Sequence, residues 1–197
     1  IALRQTRVGE LSMWKACAAA NAARNGLFAA LLARNGMTGP KEIFEGKMGF
    51  INQVSGPFML QPFVGKGGRF KVLDSYIKYY PSEYHSQAGI EAALKLRSQI
   101  GNPAEIDEIE VSTYDAAVDI IAGDKEKWNP KTRETADHSL PYCIATALSV
   151  GKIELEEFEE EKIKDPKIFN LMQKIKVIRD STFTAEYPEG FPCLLNV

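Results

Sequence analysis

The residues of this chain best suited to holding an anion or moving a proton sit in three short runs. The first is SMWKACAAANAARNG at 12–26, where Lys15 is the only charge between Glu10 and Arg24. On a helical period its neighbours are Ala18, Ala19 and Ala22, small enough to admit another helix or to leave room for a ligand over the ammonium group. The alternative is a helix-end lysine that snorkels to water beside a close helix contact.

The second run, KYYPSEYHSQA at 78–88, carries Lys78 and His85. Ser82 is expected to cap a helix there, with His85 at about its third position. The partial positive charge of a helix N-terminus disfavours protonation and would keep the imidazole neutral, ready to act as a base. The alternatives are a histidine that only bonds a neighbouring loop and a lysine that faces solvent. The third run, WNPKTRETADHSLPYCIATAL at 128–148, places Asp137, His138 and Ser139 just before an apolar helix. Asp137 or Ser139 suits the N-cap, and Pro141 suits the first turn. Tyr142 falls one turn in, its hydroxyl free to relay a proton or committed to one structural hydrogen bond. Donors of this kind, if they converge, suit a carboxylate-rich ligand.

Together with TGPKEIFEGKMGF at 38–50, these runs resemble the MmgE/PrpD family of 2-methylcitrate dehydratases and cis-aconitate decarboxylases, in the same order and over nearly the whole chain. The resemblance implies a hydro-lyase that eliminates water from 2-methylcitrate in propionate catabolism, within the methylcitrate cycle. Its alternatives are cis-aconitate decarboxylation, citrate dehydration, dicarboxylate epimerisation, or a non-catalytic binding module. It also implies a metal-independent homodimer without cofactors, acting on a small tricarboxylate. Carried onto this sequence, Lys15 and Lys78 line the site and bind substrate carboxylates. Tyr142 matches a tyrosine of the decarboxylase branch assigned to proton transfer, and His138 is expected to support the site from behind. One departure concerns His85. The branch has its site histidine in a Pro-Ala-His sequence, where this chain reads Pro81-Ser82-Glu83, and His85 follows two residues later. His85 stays with Tyr142 and Lys78 among the catalytic candidates. A histidine and aspartate of the family's N-terminal part have no counterpart here, and both ends read as cut. The chain is therefore expected to be an internal-to-C-terminal piece, inactive alone.

The elements that must position these residues follow from pattern. Residues 12–35 read as a helix capped by Ser12 and ended by Gly36, and Thr38-Gly39-Pro40 as the opening of another. Residues 46–68, rich in glycine and proline, read as a loop or short helices. Phe70 to Tyr79 suggests a strand with imperfect alternation. Further on come a helix carrying Ile90, Ala93, Leu94 and Leu96 on one face, a strand through Ile109, Val111 and Thr113, and a short helix near 115–121. A helix capped by Asp165-Pro166 and strands near 176–180 and 192–197 close the chain. In the acidic run at 154–162, Leu155 and Phe158 are expected to turn inward. The fold class is α+β: part of an all-helical domain at 1–69, then a smaller α+β lid domain at 70–197. With 197 residues, 45% of them hydrophobic, the chain can bury a core, and its net charge of -2 gives no bulk attraction to nucleic acid or an anionic membrane. No apolar stretch approaches the roughly 20 residues of a membrane span. The three cysteines, without CxxC spacing, indicate neither a disulfide framework nor a metal site and fit a reducing cytoplasm.

Overall fold

The computed structural model describes residues 4–59, 68 and 70–197. Its α-helices are α1 (Cys17–Arg34), α2 (Gln87–Arg97), α3 (Asp115–Ile121), α4 (Arg133–Ala136), α5 (Leu140–Val150), α6 (Glu160–Ile163), α7 (Pro166–Met172) and α8 (Ser181–Glu186). Its strands are β1 (Ile109–Thr113), β2 (Ile175–Arg179) and β3 (Cys193–Asn196), so the α+β class holds. The chain forms two compact units, Ile1–Ala18 with Lys78–Val197, and Ala19–Ile77.

In the first unit β1 lies at the centre of the sheet, parallel to β2 and antiparallel to β3. Its alternation appears as burial of Ile109, Val111 and Thr113 on one side. Helix α5 packs against both α2 and α7. Every residue from Leu140 to Leu148 is buried, as a helix apolar on all sides requires. Gly89 allows the close approach of α2. A Cβ there would stand 3.1 Å from Leu140 Cδ1 and 3.5 Å from Cys193 Sγ. The ends of α5 and α7 follow the expected chemistry. Ser139 Oγ accepts from Tyr142 N at 3.1 Å, Gly151 ends α5 at φ +82°, and Asp165 accepts from Lys167 N at 2.8 Å.

The second unit contains most of α1, none of whose residues is buried. Gly36, at φ +86°, follows the helix as expected. Phe50 meets Phe44 and Phe58 edge-to-face, each at 6.3 Å between ring centroids.

Several expectations are corrected. Ser12 precedes a 3-10 turn (Met13–Ala16) rather than a helix and makes no side-chain cap bond, so Lys15 lies ahead of α1. Residues 41–45 form turns, not a helix opened by Pro40, and Glu42 takes φ +53°. No strand forms at 70–79. Lys71–Asp74 is a 3-10 turn, and Val72, Leu73, Ile77 and Tyr79 are exposed, with no strand among the described residues paired to them to reward the extended form. The expected loop at 46–68 lies partly outside the described residues. Leu155 is exposed at 59%, while Glu157 turns inward with Phe158 because its carboxylate accepts from Glu154 N at 2.8 Å.

The first unit also reaches back to residues that the sequence assigns to a domain at 1–69. Gly9 N donates to Asp124 Oδ2 at 3.0 Å, Leu11 N to Thr135 Oγ1 at 2.9 Å, and Thr132 Oγ1 to Leu11 O at 3.0 Å. These bonds run the segment before α1 alongside the WNPKTRETADHSLPY run and deliver Lys15 to it.

Candidate active site

Thr132 caps α4 by accepting from Thr135 N, and the chain then turns through Asp137 and His138 before Ser139 starts α5. The turn between the two caps presents Asp137 and His138 to Lys15. The Lys15 ammonium donates to Asp137 Oδ1 at 2.6 Å, to Oδ2 at 2.9 Å and to the Glu134 carbonyl at 3.3 Å. His138 Nδ1 stands 2.5 Å from Asp137 Oδ1 and 3.1 Å from Lys15 Nζ. One nitrogen cannot both donate to the carboxylate and accept from the ammonium. The shorter contact assigns the proton to Nδ1, and Lys15 spends its donors on oxygen. Nε2 is then a lone pair, with no hydrogen-bond partner among the described residues. The Lys15 and His138 side chains are only 13% and 10% exposed, so these contacts are little screened by water.

Burial is the largest influence on His138 and holds its imidazole below the usual 6.5. The Lys15 charge acts in the same direction, against the hydrogen bond and charge of Asp137 and the charge of Glu83. Burial pushes the Asp137 carboxyl up, but bonds from His138 and Lys15, with their charges, outweigh it and leave the carboxyl below its usual 3.8. Both shifts have the same consequence for stability. Below pH 6.5 the unfolded chain takes a proton that folded His138 resists, and below 3.8 the same applies to Asp137. Folding free energy is therefore expected to fall as pH drops through 6.5, which urea unfolding at stepped pH will measure, and His138→Asn should remove that limb.

A second cluster is joined to the first through the backbone, where Glu83 N donates to the Asp137 carbonyl at 2.8 Å. Glu83, not Ser82, caps the turn at Tyr84–Ser86, accepting from His85 N at 2.7 Å. Ser82 is buried and its hydroxyl meets Ser86 Oγ at 2.6 Å. His85 is therefore in the 3-10 turn before α2, with Nδ1 2.5 Å from the Tyr114 hydroxyl.

Tyr142 and Lys78 join neither cluster. Tyr142 is fully buried and its hydroxyl donates to the Glu157 carbonyl at 2.5 Å, the structural use of that group. Lys78 is exposed at the edge of the first unit. Lys15, expected to bind substrate directly, has its donors taken within the chain.

Three residues escaped the sequence reading. Asp137 stands in the sequence only as a possible cap, and Tyr114 is not singled out there at all. Lys127 resembles a surface charge in a lysine-rich turn, yet it is fully buried, with no partner for Nζ among the described residues. Burial pulls its ammonium below the ordinary lysine value, helped by Lys15 and opposed by Asp124, Asp137 and Glu126. Among the described residues one acidic group, Glu154, Glu156 and Glu157, has metal-ligand spacing. Lys152 already supplies a cation to it, at 2.9, 3.8 and 3.5 Å.

The family models for the MmgE/PrpD N-terminal and C-terminal domains match residues 1–62 and 80–197. The chain belongs to the MmgE/PrpD family. The 2-methylcitrate dehydratase of Salmonella typhimurium is 30% identical over 185 residues, 88% of this chain and 36% of that protein. The 2-methylcitrate dehydratase of Escherichia coli K12 is 30% identical over 157 residues, 72% of this chain and 32% of that protein. A cis-aconitate decarboxylase-like protein of Aspergillus oryzae, oryM, is 27% identical over 179 residues, 82% of this chain and 36% of that protein. The chain thus spans about a third of the length of these relatives. No described helix is long and apolar enough to cross a membrane.

Proposed function

We propose that this MmgE/PrpD chain contributes the proton-accepting part of a hydro-lyase that eliminates water from 2-methylcitrate, in propionate catabolism. The observation that carries the reading is the Lys15–Asp137–His138 cluster. Elimination beside a carboxylate needs a base for the carbon-bound proton, a donor for the departing hydroxyl, and cations for the substrate's charge. His138 suits the first need. Its ring stays neutral near pH 7, Asp137 holds its Nδ1 proton, and Nε2 offers the lone pair. Lys15 acts on the reaction through Asp137, whose charge it balances. Lys78, exposed, is offered to a substrate carboxylate. Tyr142 has no part in the proton path while its hydroxyl stays on the Glu157 carbonyl.

The test is an assay of the full reading frame with 2-methylcitrate, citrate and cis-aconitate in parallel. Fastest turnover of 2-methylcitrate, seen as a new conjugated double bond, is the expected result. Preference for cis-aconitate with release of carbon dioxide would transfer the chain to the decarboxylase reading. Inactivity on all three would overturn the acid-lyase reading.

A further inference from the structure

His85 and Tyr114 lie among aromatic rings that the elimination chemistry above does not use. The His85 ring is 5.5 Å from Tyr114, 5.9 Å from Tyr187 and 5.9 Å from Phe191, centroid to centroid. Tyr187 stacks on Tyr114 at 4.9 Å and 15°. Tyr114 is 1% exposed. Its hydroxyl meets one hydrogen-bonding group among the described residues, His85 Nδ1 at 2.5 Å. Burial, with the Glu83 carboxylate next in effect, pushes the Tyr114 phenol well above its ordinary value, so it keeps its proton.

A buried phenol that keeps its proton must place it on an acceptor or forfeit a hydrogen bond. Nδ1 of His85 is that acceptor. A neutral imidazole whose Nδ1 accepts carries its hydrogen on Nε2, and that nitrogen faces Glu83 Oε1 at 3.9 Å, too far for a direct bond but on the side of a carboxylate that favours N–H. The Glu83 side chain is 16% exposed, and its other oxygen is fixed by His85 N.

We propose that Tyr114 is a positioning residue that locks His85 in the Nε2–H tautomer, so that His85 enters the site as a hydrogen-bond donor and not as a base. The two histidines of the chain then have opposite faces. Asp137 accepts from Nδ1 of His138 and leaves a lone pair at Nε2, whereas Tyr114 donates to Nδ1 of His85 and leaves a hydrogen at Nε2. This division rests on the elimination reading for its use, since a donor is what a departing hydroxyl or a substrate carboxylate requires. Its physical content does not depend on turnover.

The experiment is a long-range proton–nitrogen correlation spectrum of the 197-residue chain with nitrogen-15 histidine, where only two histidines report. His85→Asn assigns the signals. The expected wild-type pattern for His85 is a pyridine-like Nδ1 and a pyrrole-like Nε2, widely separated at neutral pH. In Tyr114→Phe the two shifts should converge as the tautomers mix, while the His138 signals stay in place. A pyrrole-like Nδ1 at His85 in the wild type, or an unchanged pattern in Tyr114→Phe, would overturn the proposal. Should Tyr114→Phe lose signal dispersion, the wild-type pattern decides alone, because averaged shifts there would equally reject a lock. Lack of turnover in the full reading frame would leave this result standing and remove only its use in elimination.

Discussion

Asp137→Asn in the full reading frame is expected to reduce turnover about 10⁴-fold, the order seen when the carboxylate orienting a catalytic histidine becomes an amide. The side chain keeps its shape, so the cause is the proton. An amide no longer demands Nδ1–H from His138, and the ring is free to carry its hydrogen on Nε2, where the lone pair is needed. The change also leaves the Lys15 ammonium, 13% exposed, facing a neutral group. With Asp137 a quarter exposed, the stability cost should be modest, about 1–3 kcal/mol. Steady-state rates beside urea midpoints separate the two effects. A rate within tenfold of wild type in a folded variant would remove Asp137 from the proton path.

Lys15→Met should act differently, through charge. Lys15 is one of the influences that hold His138 below its usual value, and Asp137 is the main one that opposes. Without the ammonium the Asp137 carboxylate draws a proton onto the imidazole, and more of the base is lost at pH 7. A loss of up to about tenfold is expected at neutral pH, as a larger share of the imidazole is held protonated. The loss should shrink as pH rises, because the imidazolium then gives up its proton. A pH–rate profile measures this directly. A loss equal at all pH values would mean that Lys15 touches the substrate carboxylate itself, the role that resemblance to the family suggested.

The difference between those two roles indicates what sequence alone can convey. Helix caps are local, so Gly36, Asp165-Pro166 and Ser139 (offered beside Asp137) could be read from neighbours three or four residues away, and the structure agrees. Alternation along Ile109, Val111 and Thr113 is equally local. Lys15 and Asp137 are 122 residues apart, and nothing in either run announces the other. Lys15 looks like a helix residue because alanines follow it, but the bonds between Leu11 and Thr132 and Thr135 hold the segment ahead of α1 against the 128–148 run. Helix α1 starts only at Cys17, with Lys15 turned toward Asp137. The strand expected at 70–79 failed for the complementary reason. Strand-like side chains without a partner strand gain no ladder. Tyr142 shows the limit of reading a role from a hydroxyl, since its use depends on the Glu157 carbonyl reached by a turn fifteen residues later.

The measurement that bears most directly on the Lys15–Asp137–His138 site is the rate of 2-methylcitrate dehydration by the full reading frame, wild type against His138→Asn. The expected result is turnover by the wild type and a rate about 10³-fold lower in the variant, with its unfolding midpoint at neutral pH little changed. Equal rates in the two proteins would contradict a base at His138.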